Sequence, residues 1–227
     1  MLDGAAPDAL GAAVELGRPD GGASLDELVD HVRALRRATS LPISVDLENG
    51  HGAEPSAVAR AIEGAAGAGA VGGSIEDWDP QGELYPLEQA VQRISAAVEA
   101  ARGLGFPFTL TARAENHIRG HPDLDDTIAR LQAYERAGAD VLYAPGIRGA
   151  EEIHAVCAAV SKPVNVLAYR GLTMREAISA GAQRVSLGGA LAWTAIEAMA
   201  GAAEQIRDSG DFSSLGSASR IRDWLAG

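Results

Sequence analysis

Six times along this chain a short apolar run rich in Val, Ile and Leu stops near a charged residue or a glycine, with apolar residues at helical spacing between the runs. A run apolar at every position reads as a strand buried on both faces, and neighbouring parallel strands must be joined by a crossover, normally a helix. Strands are therefore expected over residues 42–47, 71–76, 107–113, 140–143, 163–168 and 183–187. Helices are expected over 25–38, 54–68, 86–103, 123–137, 150–160 and 173–180, with 189–208 as a last barrel helix. Ser24, Asp123 and Thr173 stand where N-caps belong, and Gly69, Gly103, Gly138 and Gly181 where helices should stop. No linker or composition break divides the chain, so residues 1–227 read as one α/β domain. Repeated βα units point to a (β/α)8 barrel of the TIM type. Six clear strands and a weak one at 9–14 fall short of eight, and the chain is shorter than the roughly 250 residues usual for such a barrel. The expectation is a barrel incomplete at its N-terminus, with the first βα unit missing.

Charge and composition remove several classes of function. A formal net charge of -12 repels phosphate backbones, so nucleic acid and anionic membranes are excluded as partners. No apolar stretch is long enough to span a bilayer, and Asp3, Asp8 and Glu15 interrupt the place where a leader's apolar core would lie. The single cysteine, Cys157, allows neither an internal disulfide nor a multi-cysteine zinc site. A cytoplasmic protein is expected.

The chemistry gathers at the strand ends. Asp46 with Glu48, Glu76 with Asp77, and Arg113 close three successive strands, which is where a parallel barrel builds its active site. Converging carboxylates call for a cation, and the arginine for an anionic substrate. The competing readings are ordinary capping acids and an arginine that only balances them. Lys162 is the only lysine and precedes a strand, on the face away from the site, which disfavours imine chemistry. His51, His117 and His121 are read as surface histidines before proton carriers. Asn165, between Val164 and Val166, either points into the barrel toward substrate or packs. Gly188 and Gly189 read as a packing turn in preference to a phosphate cradle, and Trp78 and Tyr85 flank a lid.

The segments LGRPDGGAS, LPISVDLENGHG, GGSIEDWDP, FTLTARAENH, DLDDTIARLQAYERAGADVLYAPG, KPVNVLA and RVSLGGALAWTA resemble the isocitrate lyase and phosphoenolpyruvate mutase superfamily, in its mutase-like branch of unassigned substrate. The resemblance implies Mg²⁺ or Mn²⁺, an enolate intermediate, and a homodimer or homotetramer whose C-terminal helix is exchanged with a neighbour. Residue by residue it implies Asp46 on the metal, Glu48 holding one of its waters, Glu76 in the outer shell, and Asp20 as the aspartate after the second strand. It implies Arg113 as the substrate arginine, with Glu115 two residues beyond. Arg113, Glu76 and Glu48 are the candidate catalytic residues, and Arg113, Asn165 and Glu115 the candidate substrate ligands.

Two positions depart from the family's D-x-D-[ST]-G-[YF]-G pattern: Glu48 is longer by a methylene, and His51 replaces an aromatic. The lyases' K-K-C-G-H loop is replaced by DWDPQGELYP, so isocitrate and methylisocitrate cleavage are not expected. What remains is a Mg²⁺-dependent carbon–carbon lyase or decarboxylase of small 2-oxo or hydroxy carboxylic acids. The alternatives are phosphorus–carbon bond chemistry of the mutase or phosphonopyruvate type, and a non-catalytic truncated barrel.

Overall fold

The computed structural model describes residues 17, 18, 21–217 and 222. In chain order the elements are α1 (Leu25–Ala38), β1 (Ser44–Asp46), α2 (Pro55–Ala68), β2 (Gly72–Glu76), β3 (Trp78–Asp79), β4 (Glu83–Leu84), α3 (Leu87–Gly103), β5 (Thr109–Arg113), α4 (Leu124–Ala137), β6 (Val141–Tyr143), α5 (Gly149–Ala159), β7 (Val164–Leu167), α6 (Met174–Ser179), β8 (Arg184–Ser186) and α7 (Ala190–Ser209).

Three helix starts, those of α1, α4 and α6, follow from side chains that satisfy free N–H groups. Ser24 and Glu27 form a reciprocal capping box on α1, with Glu27 N donating to Ser24 Oγ at 3.3 Å and Ser24 N to Glu27 Oε2 at 2.9 Å. Thr173 and Glu176 repeat the device on α6, and Asp123 accepts from Asp126 N on α4. Gly69 and Gly138 end α2 and α4 in the left-handed region, at φ 104° and 103°, where a side chain would be strained.

Six strands form one parallel sheet in the order β1-β2-β5-β6-β7-β8, each joined to the next by a helix. Val45, Leu47, Ile75, Leu110, Leu142, Val164 and Val166 are buried with Ile62, Ala65, Ile94, Ala97, Leu131 and Val156 from the helices. Each large aliphatic chain so buried contributes about 1.5–3 kcal/mol. The described residues thus supply six of a barrel's eight strands; the weak strand at 9–14 and Asp20 lie outside them. Register sets the site: Glu76 pairs with Arg113, Arg113 with Tyr143, and Tyr143 with Asn165. One element was not expected from sequence, the short antiparallel hairpin β3–β4 inside the anticipated lid.

By contact the chain divides into two compact units, Met1–Gly188, which holds the whole sheet, and Gly189–Gly227. In the second unit α7 ends at Gly210, φ 70°, and none of its residues is buried; Leu191, Trp193 and Met199 are exposed. The tail helix expected over 212–225 lies partly outside the described residues. No helix among the described residues is long and apolar enough to cross a membrane.

Candidate active site

The loop after β1 carries the first acids. Asp46 Oδ1 accepts from Glu48 N at 3.0 Å and from Ser74 Oγ at 3.1 Å, which fixes the carboxylate's plane. Glu48 and His51 both have positive φ, 50° and 56°, which side chains other than glycine rarely adopt and which persists only when the surroundings enforce it. Arg93 of α3 supplies the enforcement. Buried under the loop, it donates to Gly52 O at 2.6 Å, to Ala53 O at 2.5 Å and to Asn49 O. Its guanidinium lies 4.3 Å from the Tyr85 ring centroid, and Tyr85 Oη accepts from Asn49 Nδ2 at 3.1 Å.

Three carboxylates converge on Arg113 at the end of β5. Its Nη1 is 2.5 Å from Asp46 Oδ2, its Nε 2.9 Å from Glu115 Oε1 and its Nη2 3.1 Å from Glu76 Oε2. Burial alone would lower the Arg113 pKa; the Asp46, Glu115 and Glu76 charges outweigh it and hold it well above the usual arginine value. Burial pushes the Glu76 carboxyl up to about 8, against the pull of Arg113 and with help from the Glu115 and Asp46 charges. Arg119, which the sequence reading missed, lies 3.3 Å from Glu76 Oε1 and 3.3 Å from Glu115 Oε2, with its guanidinium 5.0 Å from the Trp78 ring centroid.

Behind these groups a buried network locks the strand ends together. Asp77 accepts from Glu115 N at 2.9 Å, Tyr134 Oη at 2.5 Å and Arg130 Nη1 at 3.1 Å. Arg130 also donates to Tyr85 O and Asp126 Oδ2, so β2, the loop after β5, α4 and the base of the lid share one set of bonds. Burial raises the Asp77 pKa although Tyr134, the Glu115 N–H and Arg130 all lower it.

Asn165 is buried on β7; its Nδ2 donates to Ser186 Oγ at 2.9 Å, and its Oδ1 has no hydrogen-bond partner among the described residues. The His51 and His117 Nε2 atoms are likewise buried without one. Burial lowers the His51 pKa below the usual imidazole value, against the opposing pull of Asp46. Cys157 sits half-buried in α5 with its thiol pushed up by burial, as a structural cysteine should. The structure therefore brings Asp46, Glu76, Arg113 and Glu115 into contact and ties Glu48 to Asp46 through its backbone. Among the described residues no three His, Cys, Asp or Glu side chains form a ready-made cation cage.

Residues 4–207 match the family model described as phosphoenolpyruvate phosphomutase. A lyase/mutase-like protein of Burkholderia cenocepacia J2315 superposes with a TM-score of 0.92 at 48% identity, covering 98% of this chain and 83% of that one. 2,3-Dimethylmalate lyase, a member of the PEP mutase/isocitrate lyase superfamily, superposes with a TM-score of 0.82 at 25% identity, covering 99% of this chain and 86% of the other. The oxaloacetate decarboxylase of Bradyrhizobium diazoefficiens is 36% identical over 148 residues, 62% of this chain and 50% of that protein. The chain spans about half the length of the curated relatives it matches.

Proposed function

The chain belongs to the phosphoenolpyruvate phosphomutase family, and on that premise we propose that it is a carbon–carbon lyase or decarboxylase of small 2-oxo or hydroxy carboxylic acids, dependent on Mg²⁺ or Mn²⁺. The observation that carries the reading is the meeting of Asp46, Glu76 and Glu115 on one buried arginine at the ends of β1, β2 and β5. The relatives' names, oxaloacetate decarboxylase and 2,3-dimethylmalate lyase, favour small organic acids.

The donor set fits a hard divalent cation. It offers only oxygen, and four acids (Asp46, Glu48, Glu76 and Glu115) outnumber two arginines (Arg113 and Arg119). With no preformed cage, we assign Asp46 as the direct ligand and Glu48 and Glu76 as holders of metal-bound waters, joined by Asp20. When bound, the ion supplies Lewis-acid charge to the substrate's 2-oxo group.

The remaining steps fall to the chain's own side chains. Arg113 has five N–H groups, and those not turned to the three acids are available to the carboxylate beside the 2-oxo group. Asn165 orients the same end. For a 2-oxo diacid, loss of the far carboxylate as carbon dioxide leaves the electron pair of the broken carbon–carbon bond on the 2-oxo fragment as an enolate, and Glu76 is the group assigned to hold the proton that the carbon takes up; a 2-hydroxy acid instead gives up its hydroxyl proton, becomes the 2-oxo fragment, and leaves the electron pair on the departing carboxylic acid. Trp78 and the β3–β4 hairpin exclude water. A homodimer or homotetramer in the cytoplasm completes the proposal, with α7 covered by a second copy.

The test is product analysis by proton NMR after incubation with a panel of 2-oxo and 2-hydroxy mono- and dicarboxylic acids, with Mg²⁺ and with chelator. The expected result is Mg²⁺-dependent conversion of at least one diacid to a shorter 2-oxo acid. Phosphate release from phosphonopyruvate would instead assign phosphorus–carbon chemistry, and no turnover of any compound would leave a non-catalytic barrel.

A further inference from the structure

Two arginines reach the acids, and they are held differently. Arg113 is 11% exposed, and each of its nitrogens lies against a different carboxylate. A guanidinium enclosed in this way is held in place, with only its two remaining N–H groups left for the inner end of a substrate. Arg119 is 35% exposed, and both its contacts are 3.3 Å, longer than the roughly 2.7–2.9 Å of a strong charge-assisted bond. The Glu115 oxygen that it faces makes no hydrogen bond among the described residues. Stacking over Trp78 supports the guanidinium without fixing its in-plane direction.

The backbone beneath Arg119 is pinned. Arg119 N donates to Glu115 O at 3.1 Å and His121 N to Asn116 O at 2.8 Å, closing a tight turn after β5. Gly146, at φ 93°, lets the next loop press against this turn: a Cβ there would lie 2.7 Å from Ile118 N. A rigid base therefore carries a loosely paired cation on the more exposed side of the acid cluster. Because Arg113 already answers the acids at short range, Arg119 gives up little when it turns to another anion.

The geometry points to Arg119 as the residue that recognises the second carboxylate of a dicarboxylic 2-oxo acid. The inference rests on the 2-oxo acid reading above. In that reading the 2-oxo end of the substrate lies with Asp46 and Arg113, in the buried part of the site. The far carboxylate of a four-carbon diacid then extends toward solvent, where Arg119 can meet it with two parallel N–H bonds while remaining on Trp78. A monocarboxylic acid leaves Arg119 on Glu76 and Glu115. Arg119 therefore selects diacids over monoacids, which neither Arg113 nor Asp46 can do.

Calorimetric titration of the full 227-residue chain in Mg²⁺ buffer tests this. Two ligands are compared: oxalate, which presents only the inner end, and 3,3-difluorooxaloacetate, which adds the distal carboxylate. Arg119→Gln should weaken the difluoro compound by about tenfold or more, near 1.4 kcal/mol, and leave oxalate within about twofold. Arg119→Lys should fall between, since it keeps the charge and loses the planar fork. If Arg119→Gln does not fold by circular dichroism, the lysine variant carries the comparison. Undiminished affinity for the difluoro compound in a folded variant, with oxalate bound normally, overturns the inference and spares the 2-oxo acid reading. Equal loss of both ligands also overturns it, because Arg119 would then act only by arranging Glu76 and Glu115. Wild-type protein that binds neither ligand overturns the reading and the inference together.

Discussion

Glu76 couples the site to pH. Its folded-state pKa of about 8 lies above the 4.5 of a free glutamate, chiefly through burial. Between those values the folded protein keeps a proton that the unfolded chain has released. The stability that this proton confers is complete below 4.5 and is lost as pH rises through 8. In chelator, Glu76→Gln should therefore melt several degrees above wild type at pH 8.5 and level with it at pH 5, each ~1 kcal/mol being worth roughly 2 to 4 °C at this size. A gap that is the same at both pH values would show that Glu76 titrates normally. For Arg113, replacement by lysine keeps one charge but cannot face three carboxylates and a substrate together. On a confirmed substrate kcat/KM should fall by about tenfold or more, on the order of 1.4 kcal/mol; wild-type kinetics would confine Arg113 to charge balance. Asp46, Glu76 and Arg113 were legible as strand-end residues because each closes an apolar run, whereas Glu115 was suggested only by the family resemblance. Arg119 was not legible, since it lies in a loop whose path no periodicity reports. Arg93 did leave a signal: it shares the helical stripe of Ala90, Ile94 and Ala97, an arginine where only apolar residues were expected.

Among the elements, strand and helix positions were readable, as was the lid between Trp78 and Tyr85, but the hairpin inside it was not. Every strand of the parallel sheet lies inside its expected window, trimmed by one or more residues where the chain enters or leaves the ladder. The β3–β4 hairpin has two residues per strand, too few for any alternation to register. The strained turn after β1 was also invisible, because its conformation is imposed by Arg93 from another element. That dependence is testable. Arg93→Met keeps the bulk and removes the donors, leaving the Asn49, Gly52 and Ala53 carbonyls unanswered in a buried setting. At about 1 kcal/mol for each buried carbonyl left unanswered, the expected loss is about 3 kcal/mol, which at roughly 2 to 4 °C per kcal/mol lowers Tm by about 6–12 °C. Mg²⁺ affinity should fall with it. A variant with unchanged Tm would mean that the loop holds its shape without the arginine.

At the scale of the molecule, α7 presents Leu191, Trp193 and Met199 to solvent in a single chain. Apolar surface of this kind is characteristic of an interface. Light scattering coupled to size exclusion should give a dimer or tetramer, and Trp193→Asp should shift it toward monomer; a monodisperse wild-type monomer would remove the assembly from the proposal. Exchange of a helix between copies leaves no mark in composition or spacing, so only the family resemblance suggested it. The whole molecule is proposed to hold a divalent ion among the acids around Arg113 and to use it in cleaving a 2-oxo acid. The most direct test is turnover of oxaloacetate in Mg²⁺ by wild type and Asp46→Asn, corrected for the rate without protein, with Mg²⁺ binding followed calorimetrically on the same samples. The expected result is a protein-dependent, Mg²⁺-dependent rate that falls by about a hundredfold or more in the variant, alongside severely weakened Mg²⁺ binding. Equal rates and equal Mg²⁺ affinity in the two proteins would contradict it.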